Sequence, residues 1–208
     1  MGPMTDQTPS IVAYFVRHGT TDLNESNKFR GPLDPPLDDR GIDDAHKAAD
    51  FFSGVKLSDG FSSDKQRAQT TARAVLEPKG LNYTPDPNLR SWNVGYLAGE
   101  DKATHQDDIE YFQRHPDEQI PNGESLNQFK ARVKKPILNS IQAGISKGTP
   151  SLTVAHSSIL KEVSSLVTGD HNKENVDPGG IIAVHHDGKK FGVKALLNKR
   201  TGKSGFGQ

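Results

Sequence analysis

Arg17, His18 and Gly19 stand directly after an apolar run, and their types and order could carry chemistry. The run, residues 11–16, predicts a buried strand. Arginine offers a planar fork of donors to phosphate or carboxylate, and a neutral histidine offers a nucleophilic ring nitrogen near neutral pH. The glycine lets the backbone turn and approach an anion closely. The tripeptide therefore predicts anion binding and nucleophilic chemistry at a strand end.

Two further strand ends carry cationic side chains. A short apolar strand near residue 60 leads into a predicted helix over residues 65–77, with Arg67 in its first turn. A helix N-terminus favours anions, so Arg67 adds a guanidinium to free backbone N–H groups. A third strand, residues 151–155, ends at His156. Because the carboxyl ends of parallel strands meet at one sheet edge, we expect these side chains to lie near one another.

Strands and helices alternate along the chain until a closing hairpin. Helices are predicted from residue 37 onward and over residues 65–77, 104–114 and 124–143, and further strands over residues 81–84, 180–185 and 191–197. In the first helix the predicted cap is Asp38 or Asp39, and the predicted buried stripe comprises Ile42, Ala45, Ala49 and Phe52. This alternation predicts a three-layer α/β/α fold, with a mainly parallel sheet and helices on both faces.

Length and composition exclude several classes of protein. The 208 residues suffice for one sizeable core, so we expect a single domain over residues 8–198, with flexible termini at 1–7 and 199–208. Lysine plus arginine equal aspartate plus glutamate at 26 each, so no global charge recruits nucleic acid or an anionic membrane. Cysteine is absent, which excludes disulfides and thiol catalysis. With no leader pattern and no apolar run of about 20 residues, a cytoplasmic protein is expected.

The motifs around the strand ends extend beyond single side chains. The first continues as R-H-G-x-T-x-x-N over residues 17–24, the second reads S-S-D-K-Q-R-A-Q-T over residues 62–70, and the third is the His-Ser pair at 156–157. Together they resemble the histidine phosphatase superfamily, and the resemblance runs from about residue 11 to residue 197. It implies a phosphoglycerate mutase-like fold and phosphoryl transfer through a phosphohistidine on His18, with no metal and no other cofactor.

The same resemblance implies a role for each side chain at the strand ends. His18 attacks phosphorus from solvent-accessible space, while Arg17, Arg67 and His156 neutralise the phosphoryl oxygens. The further candidates for substrate binding are Thr21, Asn24, Arg30, Glu124 and the backbone at Ser157. For Arg30 an exposed loop position is the favoured alternative. For Glu124 a simple interaction with the dipole of a helix that it opens is an equal alternative.

One departure from the family pattern concerns proton donation. Family members with a general acid carry a segment like L-R-E-x-x-x-G-x-x-E-G, whereas this chain has Ser91 and Ala98 where the two glutamates stand. Serine cannot protonate a departing alkoxide as a carboxylic acid can. Glu124, Glu100 and Asp22 are the candidate substitutes.

Three activities fit these motifs. Hydrolysis of a phosphate monoester is favoured, because the E-R-H-Y-G-type stretch of phosphoglycerate mutases is absent. A phosphoryl-transferring mutase and a degenerate phospho-ligand-binding module with little turnover are the alternatives. The expected partner is a phosphorylated small molecule or a phosphorylated protein, and the oligomeric state stays open. No metal site is predicted, since no ligand spacing links His105, His115, His171, His185 and His186.

Overall fold

The computed structural model describes residues 10–170 and 174–198, and its strands form one six-stranded sheet. The strands are β1 (Ser10–Arg17), β2 (Gly60–Ser63), β3 (Tyr83–Asp86), β4 (Ser151–Ala155), β5 (Ile181–His186) and β6 (Phe191–Leu197). Their spatial order is β3-β2-β4-β1-β5-β6. The first four strands in that order pair in parallel, and β5 and β6 add an antiparallel hairpin. The termini predicted to be flexible, and His171, lie outside the described residues.

Helices cover both faces of this sheet. They are α1 (Asp22–Glu25), α2 (Asp39–Phe52), α3 (Gln66–Leu76), α4 (Gln106–Arg114), α5 (Leu126–Lys147) and α6 (Ser157–Thr168). Successive side chains of a strand point to opposite faces. Accordingly, Phe15 packs in a core cluster with α4, α5 and α6, whereas Tyr14 and Val16 pack in a second cluster with α2 and α3. The predicted three-layer α/β/α fold is confirmed.

A contact between two glycines sets the rotation of α2. A side-chain carbon on Gly19 would lie 2.2 Å from the carbonyl oxygen of Gly41, and one on Gly41 would lie 2.1 Å from the carbonyl oxygen of Thr20. The backbone after His18 therefore packs directly on the first turn of α2. This contact turns Ile42 outward, where it is 38% exposed, so the predicted place of Ile42 in the buried stripe is wrong. The predicted cap is confirmed, since Asp38 accepts a hydrogen bond from the Gly41 N–H.

The long helix begins two residues later than predicted. Ser125 is the N-cap of α5 and exchanges hydrogen bonds with Gln128 in a capping box. Glu124 thus precedes the helix and does not open it, which leaves its carboxylate free to bind elsewhere. Within the described residues, no helix combines the length and the apolar character that a membrane crossing requires.

Candidate active site

His18 follows the last residue of β1 and is fixed by bonds to both its backbone and its ring. Its backbone N–H donates to the carbonyl oxygen of Ala155 (3.0 Å), and its Nδ1 lies 2.6 Å from the carbonyl oxygen of Gly19. Because a carbonyl oxygen only accepts, Nδ1 carries the ring proton and Nε2 keeps its lone pair. His18 is completely buried, so the prediction that it points into solvent-accessible space is wrong.

Arg67, in the first turn of α3, joins three parts of the site through one buried guanidinium. Its Nε donates to Nε2 of His18 (3.3 Å), and its Nη2 lies 3.4 Å from Nδ1 of His156. Its Nη1 donates to the carbonyl oxygen of Leu33 (2.9 Å) and lies 3.4 Å from a carboxylate oxygen of Asp34. The structure thus brings together the three residues that the sequence placed at separate strand ends.

Asp34 is a participant that sequence reasoning missed. Both of its carboxylate oxygens lie within hydrogen-bonding distance of the Gln66 backbone N–H (3.0 and 3.3 Å), at the start of α3. The Gln66 side chain donates to the Asp34 carbonyl oxygen (2.5 Å), and Lys65 Nζ donates to the carbonyl oxygen of Pro32 (2.6 Å). Residues 32–34 are therefore held by hydrogen bonds against the start of α3, beside Arg67. In the sequence they lie in a loop that contains glycine and several prolines, where no periodic pattern predicts these bonds.

His156 caps the N-terminus of α6 and faces His18 across the site. The two ring centroids lie 5.1 Å apart at an interplanar angle of 66°. Nε2 of His156 lies 2.9 Å from the hydroxyl oxygen of Ser63, at the end of β2. Ser157 is the first residue of α6, so its backbone N–H belongs to the turn whose amides have no partner within the helix.

Burial and positive neighbours keep both histidines neutral. The pKa of His18 is lowered well below 6.5 by burial, then by the charge of Arg67, by the coupling to His156 that opposes protonation of both rings, and by the charges of Arg30 and Arg17. Burial, followed by the charge of Arg67, likewise lowers the pKa of His156 well below 6.5. A neutral imidazole is the nucleophilic form, so His18 is ready for attack at neutral pH.

Arg17 and Arg30 bring further cations to the same place. Burial lowers the pKa of Arg17 to about 10 and that of Arg30 to about 9, where a guanidinium stays charged at pH 7. Nη1 of Arg17 donates to the carbonyl oxygen of Val176 (2.8 Å). Within the described residues, Nε of Arg17 and Nη1 of Arg30 are buried without a hydrogen-bond partner. Arg30 is therefore not the exposed loop arginine of the favoured alternative, and both side chains hold donors for an anion.

Thr21 and Asn24 form the start of α1, just after the tripeptide Arg17–Gly19. The Asn24 Oδ1 accepts from the backbone N–H of Thr21 (3.1 Å) and from its hydroxyl (2.9 Å). This pairing directs the Asn24 amide group so that its N–H₂ is the part left to donate to a ligand. Thr20, between them and His18, is held by two bonds to the buried carboxylate of Asp44.

Glu124 is bound in a separate ion pair. Its carboxylate oxygens contact Arg132 at 2.5 and 3.1 Å, and Oε1 also accepts from the Asn93 backbone N–H at 2.9 Å. These contacts brace the segment that contains Ser91, whose own hydroxyl donates to the carbonyl oxygen of Gly31 (3.1 Å). The structure does not join Glu124 to the His18 cluster. Among the described residues, no three His, Asp or Glu side chains are grouped to hold a metal ion.

Comparisons with known proteins show similarity to one family and one fold. The sequence profile of the histidine phosphatase superfamily (branch 1) matches residues 13–199. The 2,3-bisphosphoglycerate-dependent phosphoglycerate mutase of Azorhizobium caulinodans is 29% identical over 177 residues, covering 80% of this chain and 83% of that protein. The alpha-ribazole phosphatase structure from Shigella flexneri superposes with a TM-score of 0.75 at 25% identity, over 90% of this chain and 96% of that one. Phosphoglycerate mutase from Bacillus anthracis shares the fold with a TM-score of 0.79 at 22% identity, covering 94% and 96%.

Proposed function

The chain belongs to the histidine phosphatase superfamily, and from that premise we propose that it hydrolyses phosphate monoesters through a phosphohistidine, without a metal ion. The observation that carries the proposal is the state of His18: its Nδ1–H is committed to Gly19, and its Nε2 lone pair faces Arg67. We assign the activity to a single catalytic domain, residues 8–198.

The first chemical step forms a bond between Nε2 of His18 and phosphorus and breaks the bond from phosphorus to the leaving oxygen. The incoming phosphoryl group displaces the N–H of Arg67 from Nε2, because a dianionic oxygen is a stronger acceptor than a neutral imidazole. Arg17, Arg30 and Arg67 then neutralise the phosphoryl oxygens, with donors from Asn24 and the start of α6. Water attacks the phosphohistidine in the second step, restores neutral His18 and releases inorganic phosphate.

We propose that the leaving group takes its proton from water, because the carboxyl groups around the site are bonded elsewhere. The nearest to Arg67, that of Asp34, accepts from the Gln66 backbone N–H. Ser91 donates its hydroxyl to Gly31, and Glu124 is held by Arg132. Glu100 lies with its carboxylate 3.9 Å from His105, on a half-exposed side chain. We therefore propose a preference for phosphoryl groups on good leaving groups, such as aryl phosphates, acyl phosphates and phosphohistidine.

Two other activities are each favoured by one observation. The glutamates replaced by Ser91 and Ala98 favour a binding module with little turnover, and the relatives named phosphoglycerate mutase favour transfer to a second substrate. Incubation with an aryl phosphate in the presence of chelator separates the three. A phosphatase gives an acid-labile phosphoenzyme and steady phosphate release, and a mutase gives a phosphoenzyme that discharges mainly onto an added phosphorylated acceptor. A binding module gives no phosphoenzyme, and that result would overturn the proposal.

A further inference from the structure

Ser63 contacts His156, the second histidine of the site, and has no role in the chemical steps of the proposed function. β2 and β4 pair in parallel, with Ser62 opposite Val154, so the two strands deliver Ser63 and His156 to the same edge of the sheet. Ser63 is completely buried, and its hydroxyl oxygen lies 2.9 Å from Nε2 of His156. The Lys65 backbone N–H also donates to that oxygen (3.4 Å).

The hydrogen bonds around the ring determine which nitrogen of His156 carries the proton. The guanidinium of Arg67 can only donate, so Nδ1 accepts from it and holds a lone pair. The ring proton therefore lies on Nε2, and Ser63 accepts it. A ring held in this way keeps Nδ1 directed at Arg67, with the ring centroid 5.1 Å from that of His18.

We infer that Ser63 is a positioning residue: through its bond to Nε2 it holds His156 so that Nδ1 faces the transferring phosphoryl group. This inference rests on the proposed function for its catalytic consequence. When a monoanionic phosphoryl group takes the place of Arg67 at Nδ1, its proton passes from the phosphoryl oxygen to Nδ1, and the ring becomes an imidazolium that donates back to that oxygen. Ser63 still accepts from Nε2–H in that state, so the same bond orients the ring throughout the reaction.

The chain offers matched variants for a test. Ser63→Ala removes the hydroxyl, while Ser62→Ala removes an equally buried hydroxyl that donates to the Ser63 carbonyl oxygen and does not contact His156. Ser63→Thr and Ser63→Val have nearly the same shape and differ in the hydroxyl. A defect shared by Ser63→Thr and Ser63→Val is due to the added bulk. A defect confined to Ser63→Val is due to loss of the hydrogen bond to His156.

The first readout is ¹⁵N NMR of the histidine ring in the free protein, which does not depend on activity. We expect wild type, Ser62→Ala and Ser63→Thr to show protonated Nε2 and lone-pair Nδ1 at His156. In Ser63→Ala and Ser63→Val the Nε2 proton of His156 should resonate at higher field and exchange faster with water, because it has lost its acceptor while Arg67 still holds the lone pair on Nδ1. An unchanged His156 spectrum in those two variants would overturn the inference.

The second readout is kinetic. Loss of one hydrogen bond to a buried ring should lower kcat/KM roughly three- to thirtyfold, and vanadate affinity should fall more than phosphate affinity. An equal loss in Ser62→Ala, or full activity in Ser63→Val, would contradict a positioning role. If the wild-type protein forms no phosphoenzyme, the proposed function fails, and the NMR readout still decides whether Ser63 fixes the ring.

Discussion

Two arginines of this chain use every nitrogen of their guanidinium, and they do so in opposite ways. Arg132 binds Glu124 through two nitrogens and donates to carbonyl oxygens of Asn88, Arg90 and Ser91. Arg67 instead donates to two neutral imidazoles and reaches its nearest carboxylate, Asp34, at 3.4 Å. A phosphate dianion would gain little by binding Arg132, because the Glu124 carboxylate already pairs with that guanidinium. At Arg67 it would displace only neutral imidazoles, which are weaker acceptors than a dianionic oxygen. Charge compensation thus separates a structural arginine from one available to a ligand.

The comparison also concerns residues 89–99, the segment in which Ser91 and Ala98 replace the two glutamates of the family pattern. Arg132 and Glu124 fix its backbone near Ser91 and Asn93, so these bonds hold the segment in place. Four predictions test this contrast, and we give them from the largest expected effect to the smallest.

The largest effect belongs to His18→Ala, which removes the nucleophile. Turnover of an aryl phosphate should fall to the background level, and no phosphoenzyme should be trapped. His18 is buried and packs beside Gly19, so a thermal unfolding scan must accompany the assay. A folded variant that keeps its activity would refute the nucleophile assignment.

The next effect concerns the missing acid. Ser91→Glu should raise turnover of alkyl phosphates selectively, because positioned acid catalysis is worth ~10²- to 10⁴-fold. In wild type kcat/KM should depend steeply on leaving-group pKa, and the variant should flatten that dependence. Ser91→Ala, which loses the bond to Gly31, is the control and should keep the steep slope. A flat slope in wild type would mean that another carboxyl group donates the proton.

The two arginines themselves give the third test. Arg67→Ala should weaken vanadate inhibition by roughly ten- to a hundredfold, the loss expected for a charge-assisted contact to a phosphoryl oxygen. Arg132→Ala should leave vanadate affinity unchanged and lower the melting temperature, because it strands the Glu124 carboxylate. If both variants affect vanadate equally, charge compensation is not what distinguishes them.

The fold and the centre of the site were predictable because their patterns are local. The apolar runs at residues 11–16 and 151–155 and the helical stripe of α3 fixed the parallel sheet. Parallel strands then had to bring His18, Arg67 and His156 to one edge. The start of α2 and both bounds of α3 were predicted to within two residues from caps and periodicity, which nearby residues determine.

What the sequence could not predict depends on contacts between distant segments. No spacing rule links the residues of three contacts that shape the site. These are the hydrogen bond from α3 to Asp34, the bond between Ser63 and His156, and the ion pair of Glu124 with Arg132. The burial of His18 and Arg30 arises from loops closing over strand ends. The outward turn of Ile42 follows from the close approach of Gly19 and Gly41, a backbone contact that apolar periodicity does not record.

The smallest effect is on stability and comes from the neutral histidines that Arg67 faces. Their folded-state pKa values lie well below 6.5, while an unfolded histidine titrates near 6.5. The unfolded state therefore binds more protons below pH 6.5, so stability is complete above that pH and falls as pH drops toward the folded pKa values. From pH 7 to pH 5.5 each histidine should cost at most about 1.3 kcal/mol of unfolding free energy, the full loss for a ring that stays neutral in the folded protein.

Urea unfolding at the two pH values measures this loss. His156→Gln should remove one histidine's share of the pH dependence, whereas Arg132→Ala, which leaves both histidines in place, should retain both shares. A wild-type unfolding free energy that does not change between pH 7 and pH 5.5 would mean that the histidines take up protons in the folded protein. Arg67 would then face imidazolium cations, and the lone pair required for attack on phosphorus would be absent from His18.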